Sequence, residues 1–307
     1  MSNSLIAAVL GPTASGKSKI ALQIAKEFNG VIINCDSRQL YQEMFIGTAS
    51  PTEGDKKIVP HKLFNFVQLD SDFSGADYAA NAKIAIEKAQ KENKLPVLCG
   101  GTGFYYDLLA EGQGVAGKDE LLNQKLQEIY AEKGLNHIVE MLGEKDPEAL
   151  SIVDLQNPRR VLRALEIVIT TGKPFSHNVQ NKIKFFPDAD FCPFVLKMDR
   201  QLLRERIKIR IDQMFEMGLK TEAESLFKKY PDSKTFASTI GYQEFIPHFK
   251  GDCDLDEVKQ RIGFSTGQYA KRQETWFKKR PSDAITFNAE DKEIFSKISS
   301  ILSKKLK

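Results

Sequence analysis

Residues 11–18 read Gly-Pro-Thr-Ala-Ser-Gly-Lys-Ser, an instance of G-x-x-x-x-G-K-[ST]. In such a loop the backbone amides of Gly11, Pro12, Thr13, Ala14, Ser15 and Gly16 curl round phosphate oxygens (Pro12 contributing only the turn). Lys17 brings a point charge, and the Ser18 hydroxyl is a ligand for Mg²⁺. The motif lies between an apolar run at 5–10 and a helical pattern beginning at 17, so a helix N-terminus adds its dipole to the same place. These residues imply a bound diphosphate or triphosphate. They do not say what is done with it.

A phosphoryl-transfer enzyme ordinarily holds Mg²⁺ with an acid on a neighbouring core strand. Here the apolar run at 95–99 leads into Gly100-Gly101-Thr102-Gly103, with no carboxylate. The acid follows the run at 31–34 instead, in Asp36-Ser37-Arg38-Gln39. At the C-terminal end of a parallel strand it lies on the ligand-binding edge of the sheet. There it could serve as a metal ligand, a general base or a turn-forming Asx residue. Its neighbour Cys35 reads as a small buried residue rather than a nucleophile. Gly100 to Gly103 permit a tight turn and a close ligand approach, with the Thr102 hydroxyl beside it.

Three basic patterns remain. Arg206 and Arg210 stand one helical turn apart, which suits a phosphate clamp or a solvated stripe. Residues 259–280 carry seven Lys/Arg against the single acid Glu274, and Gln268, Arg272 and Trp276 recur at four-residue spacing. Arg159, Arg160 and Arg163 cluster opposite an apolar side of Leu162, Leu165 and Ile169. Cations with a stackable aromatic fit a nucleic-acid backbone carrying an unpaired base. The same residues also fit a basic helix face with the only Trp of the chain turned into the core.

The elements that must carry these groups follow from periodicity. Strands are expected at 5–10, 31–34, 95–99, 192–197 and 284–287, with helices at 17–28, 74–93, 104–110 and 200–217. Strands alternating with helices imply an α/β fold with a parallel sheet. From 119 to 172 only helical patterns occur (121–132, 135–142, 147–153 and 158–171), after a Gly-rich stretch at 111–117. The expected organisation is a P-loop NTPase-like core over 1–112 and 186–307, with a helical insertion at 113–185. Residues 178–190 read as a polar, turn-rich return to the core. The 307 residues carry a net charge of only +3, so local clustering decides whether nucleic acid is bound. The four cysteines lie far apart, which excludes a zinc or disulfide framework and points to a reducing compartment. No run is long enough to span a membrane. A cytoplasmic protein without an obligate interface, a monomer, is expected.

Taken together, GPTASGKS (11–18), DSRQLY (36–41), IGTASP (46–51), GGTGFY (100–105), NPRRVLRALE (157–166), TGKPFS (171–176), IGYQE (240–244) and QYAKRQETWF (268–277) resemble the tRNA dimethylallyltransferase family. The motifs occur in the family's order over nearly the whole chain. The resemblance implies a mobile helical insertion, dimethylallyl diphosphate as donor and dependence on Mg²⁺. It implies as acceptor the N6 amine of the adenine immediately 3′ of the anticodon, flipped out of its stack in the tRNA anticodon stem-loop. The P-loop then holds the donor's diphosphate, although such loops are commonly labelled ATP-binding.

On this reading Asp36 is the general base, and Lys17, Thr13 and Arg210 stabilise the leaving diphosphate, with Thr102 beside the reacting groups. Contact with tRNA is carried over to Asp36, Ser37, Arg38, Gln39 and Thr102, and to Arg159, Arg160, Val161, Leu162 and Arg163. It is likewise carried to Ser238, Thr239, Ile240, Gly241, Tyr242 and Gln243, and expected of Lys271, Arg272, Gln273 and Trp276. RNA is expected in a cleft between core and insertion. The sequence departs from the family where Gln243 replaces a basic residue, at Pro60-His61-Lys62-Leu63, and at 112–120, which lacks a proline-rich pattern. A P-loop kinase, an enzyme prenylating free adenine nucleotides and a non-catalytic RNA-binding module are the competing readings. The basic clusters weigh against the second, the missing acid on the third strand against the first, and the combination of P-loop, Asp36 and Arg210 against the last.

Overall fold

The computed structural model describes residues 5–114 and 119–306. The first apolar run forms β1 (Leu5–Leu10), buried along its whole length. A parallel strand covered on both faces must be apolar throughout rather than alternating. After the P-loop comes α1 (Lys17–Glu27), which buries Ile20, Ala21, Ile24 and Ala25. Then follow β2 (Gly30–Asn34), α2 (Glu53–Ile58), β3 (His61–Lys62), α3 (Gly75–Lys91), β4 (Leu95–Gly100) and α4 (Gly103–Ala110). Ser74 caps α3 and Asp77 answers it in a reciprocal capping box, so the helix starts where the sequence places it. Neither α2 nor β3 is legible as a period, because six and two residues hold too few repeats.

Glu111–Phe185 forms a compact unit of its own. It contains β5 (Gln113–Gly114), α5 (Glu120–Lys145), α6 (Ala149–Ile152), α7 (Pro158–Thr171), α8 (Phe175–Gln180) and β6 (Lys182–Ile183). Residues 115–117 of the Gly-rich stretch lie outside the described residues. The two helices expected at 121–132 and 135–142 are both present within α5, separated by a kink where Gly134 takes φ 78° and ψ 179°. Asn157 caps α7, Pro158 sits in its first turn, and Gly172 ends it in the left-handed region. The core of this unit joins Leu126, Ile138 and Leu142 of α5 to Val161, Leu162 and Leu165 of α7. Residues 178–190 are more ordered than the turn-rich reading allows. They hold the end of α8 and then β6, which pairs antiparallel with β5.

The chain continues with β7 (Asp190–Lys197), α9 (Arg200–Glu216), α10 (Leu219–Lys229), α11 (Lys234–Ser238), α12 (Phe245–Phe249), α13 (Leu255–Phe277), β8 (Ile285–Asn288) and α14 (Ile294–Lys305). Together with residues 5–110 these form the second compact unit. Its sheet is six-stranded, in the order β3-β2-β4-β1-β7-β8, and every adjacent pair is parallel. The α/β fold with a parallel core expected from the alternation is therefore present. Because β2, β4 and β1 are neighbours, the loops after them converge on one carboxyl edge, where open parallel sheets bind ligands.

Candidate active site

Close backbone approach dictates the glycines of this edge. A Cβ on Gly11, at φ 145°, would stand 2.7 Å from the carbonyl oxygen of Leu196 on β7. One on Gly100 would stand 2.0 Å from the carbonyl oxygen of Cys35, so the turn after β4 can press against the turn after β2 only without a side chain. Within the P-loop, Gly16 takes the left-handed conformation just before α1, and Lys17 Nζ donates to the carbonyl of Pro12 at 2.8 Å. Burial pushes the Lys17 ammonium below its ordinary pKa. Cys99 and Asp36 pull it back up, and Arg210 pushes it further down.

Asp36 is set in place by a residue that ends β2. The fully buried Asn34 accepts from Asp36 N at 2.9 Å and donates to Asp36 O at 2.9 Å and to Leu63 O at 3.0 Å. The Asp36 carboxylate accepts from Arg38 N through Oδ1 at 2.9 Å, an Asx turn that leaves Oδ2 outside that bond. The turn reading and a chemical role are thus both open to one carboxylate. Thr102 N donates to Cys35 O at 3.1 Å, and Thr102 Oγ1 accepts from Ser37 N at 3.0 Å, which locks the turn after β4 to the turn after β2. Cys35 is wholly buried and its thiol is pushed up to about 12, chiefly by burial, so it is no nucleophile at neutral pH.

A cavity opens beside these loops, within this one unit. Thr13, Asp36 and Arg38 form its polar wall, while Ile207, Ile211 and Met214 of α9 and Ile262 of α13 form an apolar wall. Arg210 closes one side, with Nη1 3.3 Å from Thr13 Oγ1. Burial lowers the pKa of its guanidinium and Asp36 raises it. Arg206, one turn earlier, brings Nη1 within 4.0 Å of where a Gly16 Cβ would lie, so both arginines of the stripe reach the P-loop.

The residues expected to touch RNA fall into two groups. Arg38 Nη1 reaches Thr239 Oγ1 at 3.1 Å and Ser238 Oγ at 3.4 Å, drawing three of them together. Gly241 borders the same cavity, Ile240 and Gln243 are half-buried, and Lys271 and Arg272 are exposed, with Arg272 5.7 Å from the Tyr269 ring. Gln39 spends its amide on the carbonyls of Thr48 and Ala49. Arg159 and Arg160 are exposed on α7, Arg160 pairing with Asp154 at 3.3 Å and Arg163 with the buried Glu166 at 2.9 Å.

Five side chains of this set are turned into the protein. Val161 and Leu162 are core residues of α7, because a helix that exposes Arg159 and Arg160 turns the next two inward. Tyr242 is fully buried, its hydroxyl donating to Glu222 at 2.7 Å and accepting from Gly47 N at 3.1 Å. Gln273 is buried between the P-loop and the turn after β4. Trp276 is half-buried, and its indole Nε1 lies 2.2 Å from where a Gly103 Cβ would stand, so the ring packs on a glycine rather than standing free. Asn34 and Glu222 carry no motif signal. The one hint in the sequence is Asn34, a polar residue closing an otherwise apolar strand.

A parallel sheet whose carboxyl edge carries a P-loop, a positioned carboxylate and an arginine clamp defines a phosphate-binding P-loop protein of the α/β class. A family model described as IPP transferase matches residues 39–280. The tRNA dimethylallyltransferase of Acetivibrio thermocellus is 39% identical over 282 residues, covering 91% of this chain and 90% of that protein. That of Halothermothrix orenii is 37% identical over 302 residues, covering 96% and 92%. Among solved structures, the tRNA isopentenylpyrophosphate transferase of Bacillus halodurans matches with a TM-score of 0.73 at 31% identity, covering 99% of this chain and 97% of that one. A eukaryotic dimethylallyltransferase acting on tRNA matches at 0.82 and 27% identity, covering 97% and 77%. The chain belongs to the tRNA dimethylallyltransferase, or IPP transferase, family. No helix among the described residues is long and apolar enough to cross a membrane.

Proposed function

We propose that this protein transfers a dimethylallyl group from dimethylallyl diphosphate to N6 of the adenine immediately 3′ of the anticodon in tRNA, releasing diphosphate, as a monomer in the cytoplasm. The observation that carries this reading is the pairing of Arg210 with Thr13 on the wall of a cavity that also holds Asp36 and an apolar side. A diphosphate between the P-loop and Arg210 directs its prenyl group onto Ile207, Ile211 and Met214. Asp36 then stands where an incoming amine would arrive.

The chemistry suits these groups. The N6 lone pair attacks the allylic carbon while the carbon–oxygen bond breaks, and the electron pair of that bond leaves with the diphosphate. The N–H proton passes to the Asp36 carboxylate. Lys17, Arg210 and the P-loop amides meet charge that grows on the departing oxygens. The acceptor adenine must leave its stack to reach such a cavity, which unpaired loop bases do at low cost. Arg38, Lys271 and Arg272, and Arg159, Arg160 and Arg163 in the other unit, supply the cations for the RNA backbone.

Mg²⁺ fits the donor set as a substrate-borne ion. Among the described residues no group of three or more His, Cys, Asp or Glu gathers into a metal site, and the exposed Ser18 hydroxyl is the available ligand. Mg²⁺ characteristically binds through one or two protein oxygens plus phosphate oxygens. Bound there it would neutralise charge on the leaving diphosphate. A kinase reading lacks its acid, since β4 ends at Gly100.

Incubation with Mg²⁺, labelled dimethylallyl diphosphate and unmodified tRNA, followed by nucleoside digestion, tests the proposal. The expected product is N6-dimethylallyladenosine next to the anticodon, with none formed from free adenine nucleotides. ATP turnover on a small acceptor without prenyl transfer would overturn it.

A further inference from the structure

The buried stripe of α13 runs Val258, Ile262, Ala270, Gln273 and Phe277, so one amide side chain interrupts an apolar row. Gln273 is 4% exposed. A buried amide must find partners, and this one finds two, both in the phosphate-binding machinery. Its Oε1 accepts from the backbone N of Thr13 at 2.8 Å, and its Nε2 donates to the carbonyl of Gly101 at 2.9 Å. One partner is an N–H and the other a C=O, so the amide can face only one way.

Two consequences follow from this bridge. The Thr13 amide points to Gln273, so Thr13 meets a diphosphate through its hydroxyl, which already engages Arg210. The two residues before Gln273, Lys271 and Arg272, are exposed on the opposite face of the same turn. A single helical turn therefore presents cations outward and holds the P-loop inward.

We propose that Gln273 is a positioning residue for the diphosphate site, fixing the P-loop at Thr13 against the turn at Gly101, and that it is not an RNA contact. The assignment of donor and acceptor rests on the function proposed above; the positioning of the phosphate loop does not. Without the bridge, the Thr13 amide and the Gly101 carbonyl lose a buried partner each, and the loop relaxes away from the geometry that receives diphosphate.

The test uses the full chain with three readouts: calorimetric binding of inorganic diphosphate with Mg²⁺, the donor KM against kcat, and affinity for an unmodified anticodon stem-loop. Gln273→Met, which keeps the size and removes both bonds, should weaken diphosphate binding about ten-fold and raise the donor KM alike. RNA affinity should stay within about two-fold, because no RNA contact is lost. Gln273→Glu is isosteric but sets a carboxylate against the Gly101 carbonyl, so it too should weaken diphosphate binding. A filler role predicts wild-type behaviour for it.

Gly101→Ala attacks the bridge from the other side, since its Cβ would stand 2.1 Å from Gln273 Nε2. It should reproduce the Gln273→Met phenotype, and the double variant should be no worse than either single one. Loss of RNA affinity with unchanged diphosphate binding would overturn the proposal, as would a wild-type Gln273→Glu or single effects that multiply in the double variant. If Gln273→Met does not fold, Gly101→Ala decides alone. If no prenyl transfer is found with any variant, the diphosphate titration still reads the bridge separately from the reaction.

Discussion

Asn34 holds both polar backbone groups of Asp36, accepting from its N–H at 2.9 Å and donating to its carbonyl at 2.9 Å. The third bond of Asn34, to Leu63 O at 3.0 Å, ties that arrangement to the residue just after β3. A short parallel strand thus ends in a side chain that decides where the next carboxylate stands.

Asn34→Ala should therefore lose stability and activity together. It strands Asp36 N, Asp36 O and Leu63 O in a buried site, at a cost of roughly 2–4 kcal/mol by the usual penalty for unpaired groups. A urea melt reads the stability, and kcat should fall more than the donor KM rises, because the P-loop is not touched. An unchanged kcat in the folded variant would show that Asp36 does not need this support.

Asp36→Asn separates the turn from the chemistry. The amide oxygen can still accept from Arg38 N, as Oδ1 does at 2.9 Å, so the melting point should move little. Lacking a basic oxygen, the variant should lose about a hundred- to ten-thousand-fold in single-turnover rate, the usual worth of a general base. Retention of the full rate would remove that role and leave the binding assignments standing.

Lys17 should set an alkaline limit on diphosphate binding. Burial holds its ammonium below the ordinary value of 10.5, so the charge that receives phosphate is present below the lowered pKa and vanishes as pH rises through it. Diphosphate affinity should fall over that window, and Lys17→Ala should abolish the limb while weakening binding at every pH. The stability sign is opposite. Below the lowered pKa the folded state bears the full cost of a buried charge, and that cost disappears between the lowered pKa and 10.5 as the folded state sheds its proton first. Calorimetry across pH 7 to about 11 checks the affinity, with melts alongside for the stability; the range brackets the ordinary lysine value. A flat affinity profile would mean that the amides and Arg210 carry the diphosphate without Lys17.

The parallel sheet was legible in the sequence because most of its strands are short apolar runs separated by stretches of helical period. The P-loop, Asp36 and the turn after β4 were legible because strand order brings the ends of β1, β2 and β4 together. What the sequence hides is which way a side chain faces within a motif. Val161 and Leu162 share a run with exposed arginines, and Gln273 shares one with Lys271 and Arg272, yet helical rotation turns them inward. β3 and α2 are hidden for another reason, since their positions depend on pairing and capping rather than on period. Glu222 illustrates a third case. Its backbone partners Phe45, Ile46 and Gly47 lie 175 to 177 residues away in sequence, and nothing local marks it.

Glu222 and Tyr242 together shape the loop that carries Gly47 and Thr48 to the cavity wall. The Glu222 carboxylate receives the backbone N–H groups of Phe45, Ile46 and Gly47 at 3.1, 3.0 and 3.2 Å, and the Tyr242 hydroxyl at 2.7 Å. Burial and the neighbouring Glu222 charge push the Tyr242 phenol up, so it remains a donor throughout the working pH range. Gly47 and Thr48 line the cavity, and a Cβ on Gly47 would fall 2.5 Å from the Tyr242 ring. Tyr242→Phe should therefore cost about 1–2 kcal/mol in stability, as the loss of a charge-assisted hydrogen bond does. Its RNA affinity should match the wild type, because the hydroxyl is already spent inside the protein. Gly47→Ala should do more damage, since backbone and ring cannot both keep their places, and it should raise KM for tRNA as the cavity wall shifts. A Tyr242→Phe variant that keeps its melting point but binds tRNA several-fold more weakly would return Tyr242 to the RNA surface and undo its assignment as a brace for this loop.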